Sequence, residues 1–105
     1  MKEIYAEMTE ALKLGKSLAV ATVVATTGST PRKAGAKMLL FPDGRTVGTI
    51  GGGCGEANVW QEAMSIMRGS TPKLVTVDLT EEVEAEDAIC GGIMEILIEP
   101  MAAEG

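Results

Sequence analysis

The sequence predicts an α/β fold: one small domain holding a mixed, mostly parallel sheet of about five strands with two main helices. Three observations predict it. Residues 2–14 and 55–68 carry apolar side chains at helical spacing, whereas 17–26, 36–41, 46–50, 73–79 and 93–99 are short runs of β-branched and small apolar residues. The second helix lies between the runs 46–50 and 73–79, and a helical crossover of that kind favours parallel pairing. At 105 residues the chain has material for a single core and reads as one domain, 1–105.

Each element has its own signature. Ile4, Tyr5, Met8, Ala11 and Leu12 fall on one face of the first helix, and Gly15 stands where a left-handed C-terminal residue is commonly found. The run SLAVATVVAT is almost continuously apolar, as suits a central strand covered on both faces. Strands 36–41 and 46–50 are joined by Pro42-Asp43-Gly44-Arg45, a strong hairpin signal. Val59, Trp60, Ala63, Met64 and Met67 line one face of the second helix, which stops near Gly69. Strand 73–79 leads into five acids between Thr80 and Ala88, read as a solvated turn or short helix. In the last strand Met94, Ile96 and Ile98 alternate with Ile93, Glu95 and Leu97, and the tail from Pro100 is expected to fray. The predicted core is Val20, Val23, Val24, Leu39, Ile50, Trp60, Met64, Val75, Val77, Ile96 and Ile98, with Trp60 the largest single burial.

Composition narrows the function. The chain is 46 % hydrophobic but 3 % aromatic, so the core must be aliphatic, with seven methionines making it adaptable. A net charge of −6, with only 9 basic residues spread along the sequence, argues against a nucleic-acid surface. A signal-like leader and a membrane-length apolar run are both missing, which places the expected chain in the cytoplasm, with no membrane partner and its two cysteines reduced. Without histidine, the usual zinc sets and the Ser-His-Asp or Cys-His pairings cannot be built within the chain.

The chain is organised around Gly51-Gly52-Gly53-Cys54-Gly55-Glu56, which joins a strand to a helix. Glycines let backbone N–H groups converge in a nest, and the helix start adds further free N–H groups, so a phosphate or a thiolate suits this place. Cys54 would supply the thiolate, its pKa lowered by the helix N-terminus. The stretch is neither a Walker A loop nor a G-x-G-x-x-G fingerprint. Taken alone, it reads slightly better as a glycine turn with a small buried cysteine. Two further loops change that balance: 27–35, with hydroxyls, Arg32 and Lys33, and 80–92, with Cys90-Gly91-Gly92. If strands 17–26, 46–50 and 73–79 run parallel, all three loops leave carboxyl ends and meet on one edge of the sheet, where open α/β sheets bind ligands.

The segments ATVVATTGSTPRKAGAKMLL (21–40), PDGRTVGTIGGGCGEANV (42–59), VTVDL (75–79), CGG (90–92) and MEILIEP (94–100) together resemble the N-terminal domain of the XdhC/CoxI family, the accessory proteins that mature xanthine dehydrogenase and carbon monoxide dehydrogenase. The resemblance implies a chaperone that holds the molybdenum cofactor, as molybdopterin or its dinucleotide form, and delivers it to a molybdenum hydroxylase client. The cofactor-binding residues it implies are Gly28, Ser29, Thr30 and Arg32 in the first loop, Gly51, Gly52, Gly53, Cys54 and Glu56 in the second, and Cys90, Gly91 and Gly92 in the third. Cys54 and Cys90 are the implied thiols for the molybdenum centre. Glycine nests and Arg32 suit the cofactor's phosphate, and thiols suit the soft chemistry of the metal. Gly55 and the acids at 84–87 depart from the expected pattern.

Family members of this kind continue into a Rossmann-like domain, which is absent from residues 1–105. A homo-oligomer, most simply a dimer, or a separate Rossmann-domain partner is therefore expected to cover the cofactor. Two other functions compete with the chaperone. One is an interaction module that docks onto a molybdoenzyme or a Rossmann-domain partner without holding cofactor. The other is a thiol enzyme using Cys54, the weakest of the three because no general base accompanies the thiol, so no enzymatic activity is expected.

Overall fold

The structure, a computed structural model, describes residues 2–28, 30, 33–50, 56–67, 69, 71–78 and 92–101. Helix α1 (Lys2–Lys13) carries Glu3 in its first turn and Lys13 in its last, each on the favourable end of the helix dipole. It buries Ile4 and Ala11. It ends as expected at Gly15, whose φ is +75°. The Lys16 N–H donates to the Ala11 carbonyl at 2.9 Å and the Gly15 N–H to Leu12 at 3.1 Å, the paired bonds of a Schellman cap.

Strand β1 (Leu18–Thr27) is the central strand that its apolar run predicts. On one side it pairs with β2 (Lys37–Leu40), which continues into β3 (Thr46–Gly48). That turn is the expected hairpin: the Gly44 N–H donates to the Phe41 carbonyl at 2.9 Å, and the Asp43 carboxylate accepts from the Arg45 N–H at 2.9 Å. Helix α2 (Glu56–Met67) then leads to β4 (Lys73–Asp78), and the last strand is β5 (Ile93–Met101).

The sheet order is β3-β2-β1-β5-β4, and every pairing is antiparallel. This overturns the expected mostly parallel sheet. The two strands flanking α2 do run in the same direction, but they occupy opposite edges with three strands between them. The crossover rule applies only when such strands become neighbours. Here β5 takes the place beside β1, because two long apolar strands pair along their whole length, from Leu18↔Met101 to Thr27↔Ile93. The more polar β4, with Lys73, Thr76 and Asp78 exposed, is left at the edge. Pro100 and Met101 belong to β5 rather than to a frayed tail. The β4 ladder stops at Ile98, so Pro100 needs no N–H on that side.

One helix covers each face of the sheet. On the α2 face, Ala19, Ala21 and Val23 of β1 and Met94, Ile96 and Ile98 of β5 pack with Val59, Ala63 and Ile66. On the other face, Ile4 and Ala11 of α1 pack with Leu18, Val20, Leu39 and Phe41. Of the predicted core, Val20, Val23, Leu39, Ile50, Val77, Ile96 and Ile98 are buried, and Met64 and Val75 are partly so. Trp60 and Val24 are not; they are 38 % and 43 % exposed. Two apolar stripes run side by side along α2, Val59/Ala63/Ile66 and Trp60/Met64/Met67. The slimmer stripe seats against the alanine row of β1 and turns the bulky one to the flank. Val24 sits at the register shift between Val23 and Ala25, where a bulge breaks the alternation.

Gly48 of β3 lies against Ile4 of α1. Its φ is +83°, and a Cβ there would lie 2.5 Å from Ile4 Cδ1 and 2.8 Å from the Lys37 carbonyl oxygen. Only glycine fits both the backbone and the space.

Candidate functional site

Although no two strands pair in parallel, β1, β3 and β4 all run the same way, because each is separated from the next by one antiparallel strand. The chain therefore leaves all three strands heading the same way. The register makes this concrete across three strands: Thr27 of β1 is opposite Ile93 of β5, which is opposite Asp78 of β4. Gly28, leaving β1, and Gly92, entering β5, are the next residues along neighbouring strands, and the chain leaves β4 beside them. Strand β3 ends at Gly48, opposite Met38 and so level with Ala21, one pairing short of Thr22↔Lys37 and well short of Thr27.

The common direction expected for strands β1, β3 and β4 in a parallel sheet is thus produced by an antiparallel one. Gly28 has φ +76°, a conformation that turns the chain sharply out of β1. It is exposed, Thr30 is partly buried, and Gly92 is buried at the mouth of β5. Glu56 opens α2. Ser29, Arg32, Gly51, Gly52, Gly53, Cys54, Cys90 and Gly91 lie outside the described residues, and so does the expected approach of the two thiols.

Ile50 fixes the route into the glycine stretch. It is fully buried in the α2-side core two residues after β3, which anchors the chain just before Gly51. The side chains described around this end of the sheet are small, hydroxylic or apolar: Thr26, Thr27, Thr30 and Ile93, with Asp78 and Lys33 its nearest charges in sequence. Among the described residues there is no buried charged side chain and no gathering of three or more metal-ligating side chains. What this end offers is backbone geometry, with sharp turns at the exits of strands held by a rigid ladder.

The opposite end of the sheet carries a feature that sequence reasoning missed. Lys16, Ser17, Phe41, Pro42, Asp43 and Arg45 line a cleft of ≈ 550 Å³. A second hollow of ≈ 630 Å³ shares Ser17 and Pro42 with it and is walled by Trp60, Met64 and Met67. The signal was present in the second apolar stripe on α2, which is one more than a two-layer contact needs.

A profile of the XdhC and CoxI family matches residues 11–78. The chain is 38 % identical over 94 residues to the uncharacterised protein YqeB of Escherichia coli K12, covering 86 % of this chain and 17 % of that one. It is 36 % identical over 88 residues to a probable xanthine dehydrogenase subunit of Bacillus subtilis 168, covering 81 % of this chain and 27 % of that one. With the molybdenum cofactor insertion chaperone PaoD of Escherichia coli K12 it shares 41 % identity over 58 residues, 55 % of this chain and 18 % of that protein. The crystal structure of a xanthine dehydrogenase from Bacillus halodurans superposes with a TM-score of 0.75 at 33 % identity, over 90 % of this chain and 29 % of that one. The chain therefore spans less than a third of the length of each of these relatives, and no helix among its described residues is long and apolar enough to cross a membrane. On the match across most of its length, the chain belongs to the XdhC and CoxI family.

Proposed function

We propose that this domain holds the molybdenum cofactor during maturation of a molybdenum hydroxylase such as xanthine or carbon monoxide dehydrogenase. The observation that carries the reading is the common direction of β1, β3 and β4, the strands that lead into the family-matching loops, with Gly28 and Gly92 next in line on the paired strands β1 and β5. The relation to a cofactor insertion chaperone supports it. In this reading backbone N–H groups of Gly28, Gly51, Gly52, Gly53 and Gly91, with Ser29, Thr30 and Arg32, take the phosphate of molybdopterin or its dinucleotide. Cys54 and Cys90 would supply thiols to the molybdenum centre, and Glu56 would join the cofactor-binding set. The cofactor supplies redox chemistry to the client; the residues here bind, orient and shield it. No catalytic residue is assigned.

A large cofactor needs more cover than one sheet end provides, since ligand sites typically bury about 70–90 % of a drug-sized ligand. The cover in this reading is a second copy of the chain in a dimer, or a Rossmann-type domain. A second reading is an interaction module that docks onto a molybdoenzyme or a Rossmann-domain partner without holding cofactor. Titration of the purified chain with molybdenum cofactor separates the two. Saturable change in the cofactor's absorbance supports the chaperone; none at any concentration, together with docking to a client hydroxylase, supports the module.

A further inference from the structure

Strand β3 is short, Thr46–Gly48, and lies at an edge of the sheet with β2 as its neighbour. Its alternation breaks at its last residue. Val47 packs against the α1-side cluster, so regular pleating would turn Gly48 to the other face, the face of its ladder partner Met38. The φ of +83° turns the side-chain position of Gly48 back to the α1 side instead, and Ile4 already stands there: a Cβ would lie 2.5 Å from Ile4 Cδ1 and 3.7 Å from Ile4 Cγ1. Two residues further on, Ile50 is fully buried in the α2-side core. Gly48 is thus the bend at which the chain leaves the α1 face for the α2 face.

A glycine does not hold such a bend by itself. It visits positive and negative φ about equally readily and has no side chain to be gripped. The conformation at Gly48 is therefore set by its surroundings, which on the side where a side chain would point are the tip of Ile4 and the Lys37 carbonyl oxygen. Ile4 is buried and clusters with Leu39 and Phe41, so its tip is held in place. One turn along α1, Glu7 pairs with Arg45 and lays the helix beside the other end of β3. At 3.7 Å, with both side chains about half exposed, that ion pair orients the helix more than it strengthens it.

We propose that Ile4 is a positioning residue for the glycine–cysteine loop: its side chain fills the place of the one missing at Gly48 and so fixes the bend from which the chain enters Gly51. Only Thr49 and Ile50 lie between Gly48 and Gly51, so a change of φ at Gly48 is passed on to the anchoring of Ile50 and to the direction in which the loop starts. The consequence for cofactor rests on the function proposed above: a misdirected loop holds molybdenum cofactor less well. The positioning itself stands on the contact between Ile4 and Gly48 alone.

Two matched variants test it. Ile4→Val removes Cδ1 and little else, and Ile98→Val makes the same deletion at a fully buried site on the α2 face. Both are compared with the wild type, as intact chains, by hydrogen exchange read on peptic peptides and by molybdenum retained after gel filtration from excess molybdenum cofactor. In Ile4→Val the peptide covering 49–55 should exchange about threefold faster or more, relative to the β5 peptide, and molybdenum retention should fall by a similar factor. Ile98→Val should leave both at the wild-type level. Unchanged exchange at 49–55 in Ile4→Val, or equal acceleration there by Ile98→Val, would overturn the proposal, because Ile4 would then be one core residue among others. Faster exchange with undiminished retention would overturn it too, since the bend would not matter to the site. If the wild type itself retains no molybdenum, the cofactor-holding function fails, and the exchange rates alone still decide whether Ile4 positions the loop.

Discussion

Replacing Gly48 by alanine probes the packing of Ile4 of α1 against the sheet. The new Cβ meets two obstacles of different kinds. Ile4 Cδ1, 2.5 Å away, is the tip of a side chain; the Lys37 carbonyl oxygen, 2.8 Å away, is backbone in the strand that pairs with Gly48. The residue must also keep φ near +83°, which costs an L-residue roughly 1–2 kcal/mol. Overpacking of a fixed neighbour adds about 1–3 kcal/mol, for a total of roughly 2–5 kcal/mol. Against a total stability of about 5–15 kcal/mol this is a large fraction. At about 4–8 °C per kcal/mol for a domain near this size, the melting temperature should fall by roughly 10 °C or more. Gly44→Ala is the matched control, because Gly44 also has positive φ, +94°, but no atom within 4 Å of its virtual Cβ. It should lose only the backbone part. Ile4→Val in the Gly48→Ala background removes Cδ1 and should recover some of the difference, leaving the clash with Lys37. Urea unfolding of these variants and the wild type, followed by circular dichroism, gives the comparison. If Gly48→Ala costs no more than Gly44→Ala, the packing of α1 described above is wrong.

Other outcomes follow from burial and from the family loops. Ile96→Ala, in the fully buried row beneath α2, should cost about 2–5 kcal/mol in chemical denaturation, whereas Trp60→Ala should cost under about 1 kcal/mol because the indole lies at the surface. Alkylation of Cys54 across pH should give an apparent pKa below about 8.5, the ordinary thiol value; a value at or above it removes the case for a favoured thiolate. Light scattering on the isolated chain should report a dimer, and a strict monomer that still holds cofactor tightly would contradict the covering argument.

The parts of the fold that were legible in the sequence are those fixed locally. Gly15 ends α1, Pro42 to Arg45 turns the hairpin, and the alternation of Met94, Ile96 and Ile98 marks the buried row of β5, because capping, turn chemistry and period-two burial act over a few residues. Strand order was not legible. Whether β4 pairs with β3 or with β5 depends on competition between ladders distant in sequence, and the long match between β1 and β5 wins. The helix face was misread for a related reason, since both stripes on α2 are apolar and only the alanines of the partner strand decide which one packs inside. The common direction of β1, β3 and β4 was nonetheless anticipated, and it survived the change in pairing. Arg45 and Trp60 line two hollows that share Ser17 and Pro42, which no linear pattern reveals, since their walls come from the β1 entry, the hairpin and α2.

The most direct test of cofactor holding is molybdenum retained after the chain is mixed with excess molybdenum cofactor and freed of unbound material by rapid gel filtration, measured by elemental analysis for the wild type and Cys54→Ser. Near-stoichiometric molybdenum on the wild type, lost in Cys54→Ser while its fold and client docking persist, is the predicted result. Equal retention by the two proteins would contradict the role of the glycine–cysteine loop, and no retention by either, with or without a client or Rossmann-type partner present, would contradict cofactor binding itself.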